Sequence, residues 1–161
     1  MTTLHDFRVN TIDGQPKSLK DYAGHPVLVV NVASRCGLTP QYSALEELYE
    51  RFKPLGLEVL AFPCNDFGAQ EPGTEAEIKT FCETKYNVTF PLFAKLHVKG
   101  PEQAPLYGFL TSQQTAPDAA GEVAWNFAKF LVDKEGQVIA RFTPQTAPDA
   151  PEVLGAIQAA L

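Results

Sequence analysis

Apolar and polar positions alternate along residues 5–20, HDFRVNTIDGQPKSLK, with Asp13-Gly14 in the middle. An Asp-Gly pair between alternating segments predicts a small β-hairpin. The pattern then changes. Residues 27–32 are β-branched and almost wholly apolar, as in a central strand buried on both faces. Tyr42, Leu45, Tyr49 and Phe52 recur at helical spacing, behind Thr39 as a cap and Pro40 as the first helical residue. Residues 57–62 read as a second buried strand. Thr74-Glu75-Ala76-Glu77 is a capping box ahead of a helix that carries Ile78, Phe81, Cys82 and Tyr86. A shorter helix follows at 104–110. Residues 127–132 and 137–142 flank Asp133-Lys134-Glu135-Gly136 and predict an antiparallel hairpin. Asp149 with Glu152 is expected to cap a last helix, whose apolar positions include Val153, Leu154, Ile157 and Leu161.

The order is hairpin, β, α, β, α, then β-hairpin and α. Two early strands joined by a helix run parallel through a right-handed crossover. A late hairpin and a final helix complete a thioredoxin-like α/β sandwich with an N-terminal β-hairpin, expected as one domain over 1–161. The longest apolar run falls far short of a membrane span. The start, MTTLHDFRVN, has no charged region followed by an apolar core and a cleavage site, so no signal peptide is expected. A formal charge of −6 without a basic run argues against nucleic acid or an anionic membrane surface as the main partner. The three cysteines, Cys36, Cys64 and Cys82, form no CxxC pair. Such a sparse, odd set suggests reduced thiols in a cytoplasmic protein, without a structural zinc site.

In an open α/β sheet, sites form beyond the carboxyl ends of the parallel strands. Cys36 lies just past the first such strand. The loop at 63–73, with Gln70, lies just past the second. If the strand at 127–132 runs antiparallel to both, its start lies at the same edge, directly after Trp125 and Asn126. A thiol, two amides and an indole then converge. No histidine stands near Cys36 in sequence, and His5, His25 and His97 suggest only structural or solvated roles. The reactive form of cysteine is the thiolate, and a free thiol with a pKa of about 8.5 is only a few per cent ionised at neutral pH. Shifting such a thiol by two units takes roughly 2.7 kcal/mol of differential stabilisation. The following helix N-terminus, Arg35 and neutral N–H donors are the candidates to supply it. A thiolate held by donors suits attack on a peroxide O–O bond, giving a sulfenic acid. Against this, a free cysteine is ordinarily a buried small hydrophobe. That bland reading fits Cys64 well. It also fits Cys82, which sits on the apolar face of its helix between Ile78 and Tyr86.

Three segments carry a resemblance to the glutathione peroxidase family: NVAS-x-CG-x-T at 31–39, LAFPCN at 60–65 followed by FG-x-QEPG at 67–73, and WNF-x-KFLVD at 125–133. The resemblance implies a thiol peroxidase acting on hydrogen peroxide and organic or lipid hydroperoxides. By it, Cys36 is the peroxidatic residue and Gln70, Trp125 and Asn126 complete the catalytic tetrad. Cys82, within Phe81-Cys82-Glu83, matches the resolving cysteine of the thioredoxin-dependent branch, whose disulfide thioredoxin reduces. Glutathione is the less favoured reductant, because apart from Arg35 the three segments offer little positive charge for its carboxylates. The short stretch between Leu110 and Trp125 is similar to that of monomeric members, and no cofactor is implied. One departure stands out. The family commonly reads CNQFG where this chain has Cys64-Asn65-Asp66-Phe67-Gly68, and Asp66 is expected to point to solvent. A peroxide sensor relaying its disulfide to a partner shares the same chemistry. A disulfide oxidoreductase of the thioredoxin class is disfavoured by the missing CxxC.

Overall fold

The computed structural model describes residues 1–161. The N-terminal hairpin forms as expected but is short: β1 (Arg8–Asn10) pairs antiparallel with β2 (Pro16–Ser18). The chain continues through β3 (Val27–Val32), α1 (Gln41–Phe52), β4 (Glu58–Pro63), α2 (Glu75–Tyr86) and α3 (Pro105–Ser112). It ends with β5 (Lys129–Val132), β6 (Val138–Phe142) and α4 (Pro151–Ala160). The main sheet has the order β4-β3-β5-β6. β3 and β4 are parallel, and β5 lies antiparallel on the other side of β3, with Val27 opposite Val132 and Val30 opposite Lys129. This is the thioredoxin-like arrangement. It places the start of β5 at the carboxyl ends of β3 and β4.

Side-chain alternation explains why β3 is apolar throughout. Leu28, Val30 and Val32 join α1, α2 and α4 in one core cluster, while Val27 and Val29 join α3 and the N-terminal segment in another. Each large apolar side chain so enclosed contributes about 1.5–3 kcal/mol. No helix is long and apolar enough to cross a membrane.

The capping box of α2 forms as the sequence predicts: Thr74 Oγ1 accepts from Glu77 N, and the Glu77 carboxylate accepts from Thr74 N. Two other caps differ. Pro40, not Thr39, occupies the N-cap position of α1, because the Thr39 hydroxyl is committed to the preceding turn. Ala150 occupies that of α4, with Pro151 at the first helical position, so Asp149 stands one residue too early to cap it. β5 also begins two residues later than its apolar pattern predicts. Phe127 adopts φ +69°, a left-handed conformation that β-strand pairing does not accommodate.

Two polar side chains lie fully buried in this sheet, Asn31 and Lys129. Lys129 Nζ donates to Phe127 O at 2.7 Å and to Pro144 O at 3.1 Å, with no carboxylate bonded to it. Burial pulls its pKa down to about 7. Above that pH the folded lysine gives up its proton, while the unfolded one keeps it up to about 10.4. The unfolded state then binds more protons, so this group's contribution to stability rises with pH across that window. Chemical denaturation of the protein and of Lys129→Met at a series of pH values checks this. The difference in unfolding free energy should move in favour of lysine between pH ~7 and ~10, by on the order of a few kcal/mol. A pH-independent difference would show that the ammonium group is not desolvated.

Candidate active site

The chain leaves β3 through a tight turn that presents Cys36. Thr39 closes this turn: its Oγ1 accepts from Cys36 N at 2.9 Å and donates to Ala33 O at 2.7 Å. Cys36 is 8% exposed. Its sulfur accepts from two donors, Leu38 N at 3.3 Å and the Trp125 indole Nε1 at 3.2 Å. An indole N–H and a backbone N–H can only donate, so both present a hydrogen to the sulfur.

The loop after β4 brings Gln70 to the same edge. Gly68 and Ala69 take successive left-handed conformations, φ +61° and +51°, which reverse the chain. For alanine this costs about 1–2 kcal/mol, and the surrounding bonds hold it in place. Asn65 Oδ1 accepts from Glu71 N at 2.8 Å, and Gln70 O accepts from Arg35 N at 3.0 Å. The second of these ties the Gln70 loop to the residue before Cys36. Asn126, fully buried, donates through Nδ2 to Gln70 Oε1 at 3.2 Å. The Trp125 ring packs on Phe67 with centroids 5.5 Å apart.

Thus the fold gathers Cys36, Gln70, Trp125 and Asn126 at one edge. Trp125 alone of the three bonds the sulfur. The two amides bond each other, leaving Gln70 Nε2 free of protein partners. The other expected contributors make no hydrogen bond to the sulfur. α1 begins five residues after Cys36, and the Leu38 N–H of the intervening turn serves in place of the helix end. Arg35 is exposed and makes no bond to Cys36; it lines a cavity of about 190 Å³ with Glu71, Glu77 and Phe81.

Asp66 corrects a second expectation. Instead of facing solvent, its carboxylate accepts from Val98 N at 2.7 Å and pairs with His97 Nδ1 at 2.7 Å, and its side chain is 10% exposed. These bonds outweigh burial and hold its pKa below the usual carboxylate range. His97, for which the sequence suggested no partner, is bonded to Asp66 and lies 3.4 Å from Glu102. Asp66 is therefore committed to the 97–98 segment and places no free carboxylate against Cys36.

All three cysteines are free thiols. Cys64 and Cys82 are fully buried. Burial pushes the Cys64 thiol up to about 12 and the Cys82 thiol up to about 11. The buried Tyr42 hydroxyl, otherwise without a partner, faces the Cys82 sulfur. Sequence reasoning passed over the supports of the site: Thr39 in its turn, and the buried polar pair Asn31 and Lys129. The signal was present in Asn31, the one polar residue in VLVVNV.

Comparison with known proteins gives a consistent result. A sequence profile described as glutathione peroxidase matches residues 4–111. Over 152 residues the chain is 49% identical to the hydroperoxy fatty acid reductase gpx1 of Synechocystis sp., a match covering 91% of this chain and 90% of that one. It is 48% identical over 149 residues to a glutathione peroxidase of Lactococcus lactis, covering 92% and 94% respectively. Among solved structures it is similar to T. cruzi GPX1, with a TM-score of 0.79 at 32% identity, covering 99% of this chain and 96% of that one.

The indole bond can be tested directly. Trp125→Phe keeps the aromatic packing on Phe67 but removes the N–H. Iodoacetamide alkylation of Cys36 at neutral pH should slow about tenfold and recover at higher pH, as expected when a donor to the thiolate is lost. An unchanged pH profile would show that the indole does not support the ionised sulfur.

Proposed function

The chain belongs to the glutathione peroxidase family and is a peroxidase, and from that premise we propose that Cys36 attacks the peroxide and Cys82 resolves the product. The observation carrying this reading is the indole N–H at 3.2 Å from the Cys36 sulfur. The thiolate attacks one peroxide oxygen, an S–O bond forms as the O–O bond breaks, and water or an alcohol leaves after taking up a proton. In this reading Gln70, with its amide nitrogen unbonded, and Asn126, bonded to it, donate to the oxygens while the charge moves. Hydrogen peroxide and organic hydroperoxides are the substrates. Those of fatty acids are included by analogy with the Synechocystis relative.

The Cys82 thiol then attacks the Cys36 sulfenic acid, forming a disulfide and releasing water. This requires Cα atoms within about 7 Å, and therefore movement of α2. The helix is suited to it. Of its twelve residues only Ile78 and Cys82 are buried, against six of the twelve in α1. Local unfolding of an element so lightly anchored is inexpensive. On leaving the core, the Cys82 thiol returns toward the ordinary range and becomes a better nucleophile. Thioredoxin, a protein dithiol, reduces the disulfide in preference to glutathione, since apart from Arg35 the site segments offer only the buried Lys129 as positive charge. Unbonded thiols suit a reducing, cytoplasmic setting, and the short 113–124 segment suits a monomer.

Cys36→Ser should abolish peroxide consumption. Cys82→Ser should still consume one equivalent of peroxide but fail to cycle with thioredoxin. Both are read by peroxide loss with thioredoxin and, in parallel, with glutathione as reductant. Cycling that survives the Cys82 change would transfer the resolving role to Cys64 or to an external thiol.

A further inference from the structure

β3 pairs with β5 through Val30 and Lys129, and one residue further the ladder stops. There the chain of β5 departs through the left-handed Phe127, and the side chain of Asn31 takes over. Its Oδ1 accepts from Ala128 N at 3.1 Å and its Nδ2 donates to Trp125 O at 3.2 Å, while its backbone carbonyl accepts from Phe127 N at 2.6 Å. One asparagine thus bonds three residues, Trp125, Phe127 and Ala128, at the point where Trp125 and Asn126 are presented. From the other side, Lys129 Nζ holds Phe127 O at 2.7 Å. The carbonyls on either side of Asn126, those of Trp125 and Phe127, are both bonded by buried side chains, Asn31 and Lys129.

An amide in the middle of a buried strand is costly unless both its ends are bonded. Valine or leucine, which fill the rest of β3, would serve the core better. The polar residues are explained by what they hold, a backbone conformation that aims the indole at Cys36.

We infer that Asn31 and Lys129 are positioning residues for the peroxidase reaction, locking the Trp125–Phe127 backbone so that the Trp125 N–H reaches the Cys36 sulfur. This rests on the reading that Trp125 supports the Cys36 thiolate. The test is a double-mutant cycle. Asn31→Thr supplies a β-branched, strand-compatible side chain that cannot bridge both backbone groups. In the folded variant, Cys36 alkylation and the first turnover with hydrogen peroxide at neutral pH should each slow about tenfold, recovering at higher pH. In a Trp125→Phe background the same change should add less than about twofold, because the bond it served is already gone. Full speed in Asn31→Thr, or an equal tenfold loss in the Trp125→Phe background, would overturn the inference. If Trp125→Phe itself changes nothing, the underlying reading of the thiolate fails instead. Should Asn31→Thr not fold, Lys129→Met removes the other tie and is read by the same cycle, with the same two outcomes deciding.

Discussion

The contact on which the proposed chemistry depends is an N–H donated by an indole to a sulfur 89 residues away. Neither group is unusual alone. A cysteine in a turn is mostly protonated at neutral pH, and a half-buried tryptophan is mostly packing. Set 3.2 Å apart at the edge of a sheet, with Leu38 N as a second donor, they form a site in which two N–H groups, and no histidine, face the sulfur. Three strand ends are needed to build it. β3 delivers Cys36, β4 delivers the Gln70 loop, and the antiparallel β5 begins where the other two finish. Had β5 been parallel, Trp125 would stand at the opposite end of the sheet.

The three cysteines show how environment divides one functional group into separate fates. Cys36 is held by two N–H donors and alone of the three keeps some exposure. Cys64 is sealed behind the β4 exit, where burial makes its thiolate inaccessible at any physiological pH. Cys82 is equally sealed, but within a helix that few buried side chains anchor. A thiol silenced by burial on a lightly held element can be released by local unfolding. Cys64 sits instead directly after β4, fully buried in the core packed against α3. The same stretch shows how an unusual residue is absorbed. Asp66 beside the site would oppose a thiolate if left free. Bonded to Val98 N and paired with His97, it instead fastens the Gln70 loop to the segment that follows.

Much of the fold was legible in the chain. The wholly apolar β3 segment, the capping box at Thr74 and Glu77, and the turn at Asp133 to Gly136 each carry a local cause, and each formed where the pattern placed it. The errors have local causes too. Thr39 and Asp149 are residue types that cap helices, but a hydroxyl or carboxylate goes to whichever backbone group it reaches, and Thr39 reached the Cys36 turn. The apolar pattern through Phe127 and Ala128 looks like strand because periodicity reports burial, not φ. Asp66 read as solvated because its partners, His97 and Val98 N, lie some thirty residues on.

By itself the sequence determined which chemistry was available: a lone thiol at a strand exit, donor side chains at two other strand ends, and no metal-like or basic cluster to suggest another reaction. Hydrophobic periodicity and caps act between neighbours, so they can be read along the chain. Which donor touches the sulfur was decided only by tertiary structure. Trp125 does, while Gln70 and Asn126 bond each other and Arg35 faces outward. So was the support that aims the indole, Asn31 and Lys129 gripping the carbonyls around Asn126. A hydrogen bond forms or fails within a few tenths of an ångström, and that separation is set by the packing of the whole sheet rather than by residue type.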